Sequence, residues 1–301
     1  MTATSTERIS PARLQALRRG VTGRVLTPDD PGYDAARAAW NLNAHHHPAL
    51  VVLAESTQDV SLAVQLAASA GVGVGMLATG HGTGTPCDGG VLINTSRMRL
   101  VEIDAGAQQA RVGAGVVWED VVAPAAAYGL AALAGSSTTV GVVGYSLGGG
   151  FGWLGRRYGL AAHSITGAEL VTADGDVLMV GPDYHCDLFW GLQGGTGNLG
   201  VVTQLEFQLY PVSQVYAGNL YYPLDRARDV LSFFSSFSRS VPLKLTSAVT
   251  FRRFPPLPTL PETLRGRSLV AFRGCFCGDP TEGCALIDQV RAALGPAVVD
   301  T

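Results

Sequence analysis

The chain has 301 residues, more than one typical domain, and its 47% hydrophobic and 15% charged composition with 38 glycines is that of a turn-rich globular protein rather than a disordered or fibrous one. A formal charge of -3, with no Lys/Arg cluster larger than pairs such as Arg156-Arg157, argues against a nucleic-acid surface and points to small-molecule partners. The longest apolar stretch, 121–134, contains Pro124 and falls short of the ~20 residues that span a bilayer, so no membrane partner is expected.

Residues 1–19 carry charges throughout and no apolar signal core, and the 5 cysteines form no CxxC pair; they read as reduced thiols in a cytoplasmic protein. The apolar run 49–54 predicts a buried strand, after which Ser56 or Thr57 caps a helix with Val60, Ala63, Val64 and Ala67 on one face. Segment 71–78 reads as the next strand, 79–89 as a polar loop and 90–94 as another strand, giving a β-α-β unit. A hairpin is expected around Asp104-Ala105-Gly106, and a helix over 118–130 that accommodates Pro124 as a first-turn proline. A second hairpin, 168–172 with 177–180, turns on Asp174-Gly175, and 201–209 is a strong strand. Pro211 closes this glycine-rich region. Beyond it come aromatic strands, a serine-rich helix, the proline-rich stretch 254–261, a further helix and an apolar run at 297–299 that reads as an interruption of a second domain.

Three glycine-rich loops stand beside apolar strands: Gly80 to Gly84, Gly144 to Gly152 and Gly194 to Gly200. Successive backbone N–H groups in such loops form anion nests able to hold a pyrophosphate. Gly195 to Gly200 matches GxGxxG, but a helix precedes it and a strand follows, the reverse of a dinucleotide fingerprint, so it reads as a helix-to-strand turn. Gly144-Tyr145-Ser146-Leu147-Gly148 matches the GxSxG nucleophile elbow with 140–143 as its strand. The glycines that follow disfavour the helix an elbow needs, and the histidines beyond, His163 and His185, come early for a triad, so Ser146 reads as structural. The run His45-His46-His47 reads as a solvated loop, because neighbouring residues of an extended segment point apart. Cys275, Cys277 and Cys284 lack a fourth metal ligand, so no metal is expected. His81, held between glycines, has two readings: a nucleophile presented to a cofactor ring, or a plain hydrogen-bonding group.

The ordered set Ala78-Thr79-Gly80-His81, Asp88-Gly89-Gly90, Val140-Gly141, Gly148-Gly149-Gly150-Phe151-Gly152, Arg157-Tyr158-Gly159-Leu160, Ala173-Asp174-Gly175 and Asp187-Leu188-Phe189-Trp190 through Gly197-Asn198-Leu199-Gly200-Val201-Val202-Thr203 resembles the FAD-linked oxidases of the berberine-bridge-enzyme type, within the vanillyl-alcohol-oxidase superfamily. The resemblance implies an α+β protein: an N-terminal segment 1–23, a two-subdomain FAD-binding domain of the PCMH type over 24–211, and an incomplete α+β substrate domain over 212–301. It implies FAD as cofactor, with His81 bonded to the flavin 8α-methyl carbon and contacts from Ala78, Thr79, Gly80, Gly82 and Thr83 in the first loop. The second loop would contribute Ser137, Thr139, Val140, Gly141, Gly144, Gly148, Gly149, Gly150 and Gly152, and the third Gly197, Asn198, Gly200, Val201 and Val202. Many relatives make a second covalent link from a cysteine where this chain has Ser137, so a single link is expected; Leu77 and Thr79 stand where many relatives have arginine and glycine. The implied chemistry is hydride transfer from a C–H of a small organic substrate to flavin N5, with molecular oxygen as acceptor. Relatives continue well beyond residue 301 and carry the usual base there, so no catalytic base is named. A truncated, inactive FAD-binding fragment and a serine hydrolase through Ser146 are the alternatives.

Overall fold

The computed structural model describes residues 9–82 and 84–301. Its described residues up to Phe151, together with Leu160–Tyr210, make one compact unit; Gly152–Gly159 and Pro211–Thr301 make another.

The first unit opens with α1 (Pro11–Gly20), β1 (Arg24–Leu26), α2 (Tyr33–Arg37), β2 (Leu50–Leu53), α3 (Thr57–Ala70), β3 (Val74–Leu77) and β4 (Val91–Asn94). The strands form a sheet in the order β1-β2-β4-β3, with β4 parallel to both β2 and β3. The β-α-β unit is therefore present. The Ser56 hydroxyl caps α3 by accepting the Asp59 N–H at 3.2 Å. The helix buries Val60, Ala63, Val64 and Ala67 against Leu50, Val52, Val91 and Ile93, each large aliphatic side chain contributing about 1.5–3 kcal/mol. Asp59, fully buried at the start of α3, accepts backbone N–H groups from Thr22 (2.8 Å), Gly23 (3.0 Å) and Glu55 (2.9 Å), tying the helix to the approach of β1.

A second sheet follows from β5 (Val101–Asp104), β6 (Gln109–Gly113), α4 (Trp118–Ala126), α5 (Val142–Leu147), β7 (Ile165–Val171), β8 (Val177–Val180), α6 (Cys186–Leu192) and β9 (Val201–Gln208), its strand order β5-β6-β9-β7-β8 and every pairing antiparallel. Both expected hairpins form, and Gly175 takes the positive φ, 88°, that the second turn requires. Two expectations are corrected. Pro124 lies near the C-terminal end of α4, not in its first turn, and the chain turns out of the helix through Gly129 at φ 68°, with the Leu130 N–H bonded to Ala125 C=O at 3.1 Å. The run 140–143 is not a strand: α5 begins at Val142.

The second unit contains β10 (Tyr216–Pro223), α7 (Ala227–Ser240), β11 (Leu245–Arg253), β12 (Ser268–Phe276), α8 (Pro280–Leu294) and β13 (Val299–Asp300), the strands ordered β11-β12-β10-β13 and antiparallel throughout. Phe237 of α7 and Ile287 and Val290 of α8 join Leu220, Val270 and Phe272 in its core. The 152–159 segment belongs here through the Arg156 guanidinium, which donates to Ser238 C=O at 2.8 Å, the Arg157 guanidinium, which donates to Cys277 C=O at 2.6 Å, and Arg273 stacked over Trp153 at 4.7 Å. Cys275 and Cys277 are buried, and burial pushes the Cys275 thiol up to about 11. Among the described residues no helix is long and apolar enough to cross a membrane.

Candidate cofactor site

Strand β3 is a sheet edge, and the chain leaves it through Ala78-Thr79-Gly80-His81-Gly82. Two backbone hydrogen bonds clamp this loop to residues 39–41: Trp40 N–H to Thr79 C=O at 2.9 Å and Asn41 N–H to Gly80 C=O at 3.1 Å. The clamp requires glycine at 80, where φ is +74° and an added Cβ would lie 2.5 Å from Ala39 Cβ and 2.9 Å from the Trp40 nitrogen. His81 is thereby presented against Trp40, the two rings stacked with centroids 4.1 Å apart and planes 20° from parallel. Its Nε2 lies 3.1 Å from Thr139 Oγ1, which in turn lies 3.2 Å from Ser137 Oγ.

Residues 137–144 form the second wall. Trp118 N–H donates to Val140 C=O (3.1 Å), Glu119 N–H to Thr138 C=O (3.0 Å) and Val142 N–H to Val116 C=O (2.9 Å), which holds this stretch against the start of α4. A Cβ on Gly141 would sit 3.7 Å from Ala78 Cβ and from Thr79 Oγ1, so the first two loops are separated there by little more than the space of a methyl group, and the His81–Thr139 pair brings them into contact. A Cβ on Gly148 would lie 3.8 Å from Thr196 Cγ2, so the third loop passes close to the C-terminal end of α5. The first loop thus lies beside the N-terminal end of α5 and the third beside its C-terminal end.

The glycines of these loops divide by what surrounds them. At Gly150 a Cβ would strike the Tyr145 ring at 2.5 Å, and at Gly200 it would lie 2.7 Å from Leu170 Cδ1 and Val171 O, so both serve packing. Gly149 and Gly150 also turn their carbonyls to the Ala162 and Ala161 N–H groups, 2.8 Å each. Among the described residues nothing lies within 4 Å of a Cβ added to Gly82, Gly144 or Gly197, and none has a positive φ, so the space beside each is open. Open backbone of this kind is what an anion nest offers. Gly144→Ala separates the two effects: the substitution places a better helix former in α5, so the melting temperature is expected to hold or rise by the equivalent of up to about 1 kcal/mol, while retention of bound flavin falls. Thermal melts alongside flavin-to-protein absorbance ratios check both.

Of the remaining expected residues, Asn198 lies in a short 3-10 turn, Thr196–Leu199, and Val201 and Val202 open β9 as buried side chains. Gly152 groups with the second unit. Thr83 lies outside the described residues. Leu77 is buried with Val51, Leu53 and Leu92, which accounts for an aliphatic residue at that position. Tyr145 stands edge-on to Trp118 at 5.5 Å; burial pushes its phenol up to about 12, and its hydroxyl has no hydrogen-bond partner among the described residues.

The histidine run lies in a loop with His45 and His47 exposed, as expected, but His46 is buried: its Nδ1 accepts the Cys87 N–H at 3.1 Å and its carbonyl accepts Arg37 Nη1 at 2.7 Å. Ser146, 2% exposed, lies inside α5 and not on a strand-to-helix turn, so no elbow is formed. A serine-reactive phosphonate is accordingly expected to leave the intact mass unchanged. The sequence analysis does not single out Trp40; a tryptophan followed by Asn41 and Asn43 in a stretch without apolar periodicity is the signal that could have found it.

Known proteins resemble this chain in both sequence and fold. The family model described as a FAD binding domain matches residues 48–181, which include the first two loops and end before the third. The (R)-6-hydroxynicotine oxidase of Paenarthrobacter nicotinovorans is 39% identical over 192 residues, 63% of this chain and 42% of that protein. An uncharacterized FAD-linked oxidoreductase of Bacillus subtilis, YgaK, is 32% identical over 238 residues, 77% of this chain and 53% of that protein. The chain therefore spans about half the length of these curated relatives. Among solved structures, 6-hydroxy-D-nicotine oxidase from Arthrobacter nicotinovorans superposes with a TM-score of 0.83 at 30% identity, covering 93% of this chain and 61% of that one. BBE-like 1 of Physcomitrella patens gives 0.82 at 27%, covering 96% and 61%. Domain match, sequence identity and shared fold agree: the chain carries a FAD binding domain over residues 48–181 and is similar to the FAD-linked oxidases of the berberine-bridge-enzyme type.

Proposed function

We propose that this chain uses the three converging loops to bind FAD and serves an oxidoreductase acting on an alcohol-type or amine-type C–H of a small organic molecule, with molecular oxygen as acceptor. The observation that carries the reading is the contact of His81 with Thr139 and, through it, Ser137, which brings the first two glycine loops together with open glycine backbone beside them. Bound FAD would supply a two-electron acceptor that takes hydride at N5. The chain's own groups would orient it: Gly82, Gly144 and Gly197 leave room for phosphate and ribityl oxygens, and His81 at the rim would be the nitrogen that replaces a hydrogen of the 8α-methyl group, the hydrogen leaving as a proton and the two electrons passing to the flavin and from it to molecular oxygen. Ser137 has a hydroxyl where a thioether would need sulfur, so attachment through His81 alone is proposed. The amine class is favoured because the 39% identical relative is named for 6-hydroxynicotine.

The test is the visible spectrum of the purified protein, followed by titration with a cyclic tertiary amine of the N-methylpyrrolidine type under exclusion of air. Flavin bands that bleach on addition and return with oxygen are the expected result. A protein that neither carries flavin nor takes up added FAD overturns the proposal, and bands that never bleach remove the amine assignment.

A further inference from the structure

Resting on the reading of His81 as the attachment point, we infer that Trp40 is a positioning residue for His81. It holds the imidazole in one orientation, with Nε2 committed to Thr139 and Nδ1 left as the nitrogen without a protein partner among the described residues.

Three observations converge on this. An imidazole on a glycine-flanked loop has free rotation about both side-chain bonds unless something fixes it, and Gly80 and Gly82 provide no neighbouring side chain to do so. Trp40 provides a face: the rings are 4.1 Å apart and 20° from parallel, which removes rotation out of the stacking plane. Thr139 Oγ1, 3.1 Å from Nε2, removes the remaining flip within that plane, and its contact with Ser137 Oγ fixes the hydroxyl in turn. The tryptophan is itself placed by the backbone, through Trp40 N–H to Thr79 C=O and the close approach that glycine at 80 permits. Trp40 is nevertheless 65% exposed. Burial of the indole does not account for its position, since a tryptophan placed for core packing would be covered. Its stack on His81 does.

The experiment compares wild type, Trp40→Leu, Trp40→Phe and Thr139→Val as flavin-loaded proteins. For each, total flavin per chain is read from the native spectrum, and the covalent share is the fraction remaining in the acid-precipitated pellet. Trp40→Leu keeps bulk but has no aromatic face. It is expected to lower the covalent share roughly two- to tenfold at equal total flavin, the range set by a stacked aromatic pair. Trp40→Phe keeps a ring and is expected to restore most of it, whereas a purely structural role would follow side-chain volume and melting temperature. Thr139→Val, close in shape and lacking the hydroxyl, is expected to lower the share as well. A wild-type covalent share in Trp40→Leu, with a coloured wild-type pellet, overturns the inference while leaving His81 as the attachment point. A colourless wild-type pellet from a yellow protein removes the attachment reading and the inference with it.

Discussion

His81→Ala protein is expected to remain yellow when native and to lose all its colour to the supernatant when precipitated with acid, where the wild-type pellet stays yellow. The substitution removes the one side chain of the first loop that carries a nucleophilic nitrogen, without touching the clamp that shapes the loop: Trp40 N–H to Thr79 C=O and Asn41 N–H to Gly80 C=O are backbone bonds. Flavin binding through the glycine loops therefore persists while the covalent bond cannot form. Because free flavin dissociates and covalently held flavin does not, the variant's flavin content is expected to fall on prolonged dialysis while that of wild type stays constant. Removal of an electron-withdrawing attachment is also expected to lower the flavin's reduction potential, so turnover slows even in fully loaded protein. Spectra before and after dialysis, and of pellet and supernatant, check the result. A wild-type pellet without colour would assign His81 to hydrogen bonding with Thr139 and nothing more.

What could be read from the sequence follows from the range of the interactions involved. Helix α3 was legible because Val60, Ala63, Val64 and Ala67 repeat at helical spacing behind a serine cap, and the β7–β8 hairpin because Asp174-Gly175 states its turn locally. The three glycine loops were legible as loops, but only the fold shows that Gly141 lies near Ala78 and Gly148 near Thr196, or separates the packing glycines Gly150 and Gly200 from the open Gly82, Gly144 and Gly197. His46 was misread because its partner, the Cys87 N–H, is distant in sequence, and the polar run around it carries no periodic signal of burial. Pro124 was misplaced within α4 because propensity locates a proline in a helical window without saying where the window ends. The grouping of Gly152–Gly159 with the second unit depends on Arg156 and Arg157 reaching carbonyls of Ser238 and Cys277, a long-range choice that no local pattern encodes.

Asp59→Asn is expected to be the most destabilising isosteric change in the first unit. The carboxylate sits fully buried and accepts three backbone N–H groups, from Thr22, Gly23 and Glu55, at 2.8–3.0 Å. A carboxamide keeps one acceptor oxygen and turns its NH2 toward donors that have no other partner, which costs roughly 3 kcal/mol at neutral pH against a typical total stability of about 5–15 kcal/mol. The same site sets an acid limit. Burial pushes the Asp59 carboxyl up, but the N–H groups of Glu55, Thr22 and Gly23 and the Ser56 side chain pull it down further, so in the folded protein it titrates below the ordinary carboxylate value. A group depressed on folding stabilises fully above its unfolded pKa, near ~3.9, and loses that contribution as pH falls through the folded value. Wild-type stability is therefore expected to decline as pH drops below about 4, with proton uptake on unfolding, while the Asp59→Asn variant, already weaker at neutrality, shows a shallower decline over the same window because its amide does not titrate. Urea unfolding midpoints measured from neutral pH down to about 3 decide it: parallel curves for the two proteins would mean that another carboxylate governs the acid transition.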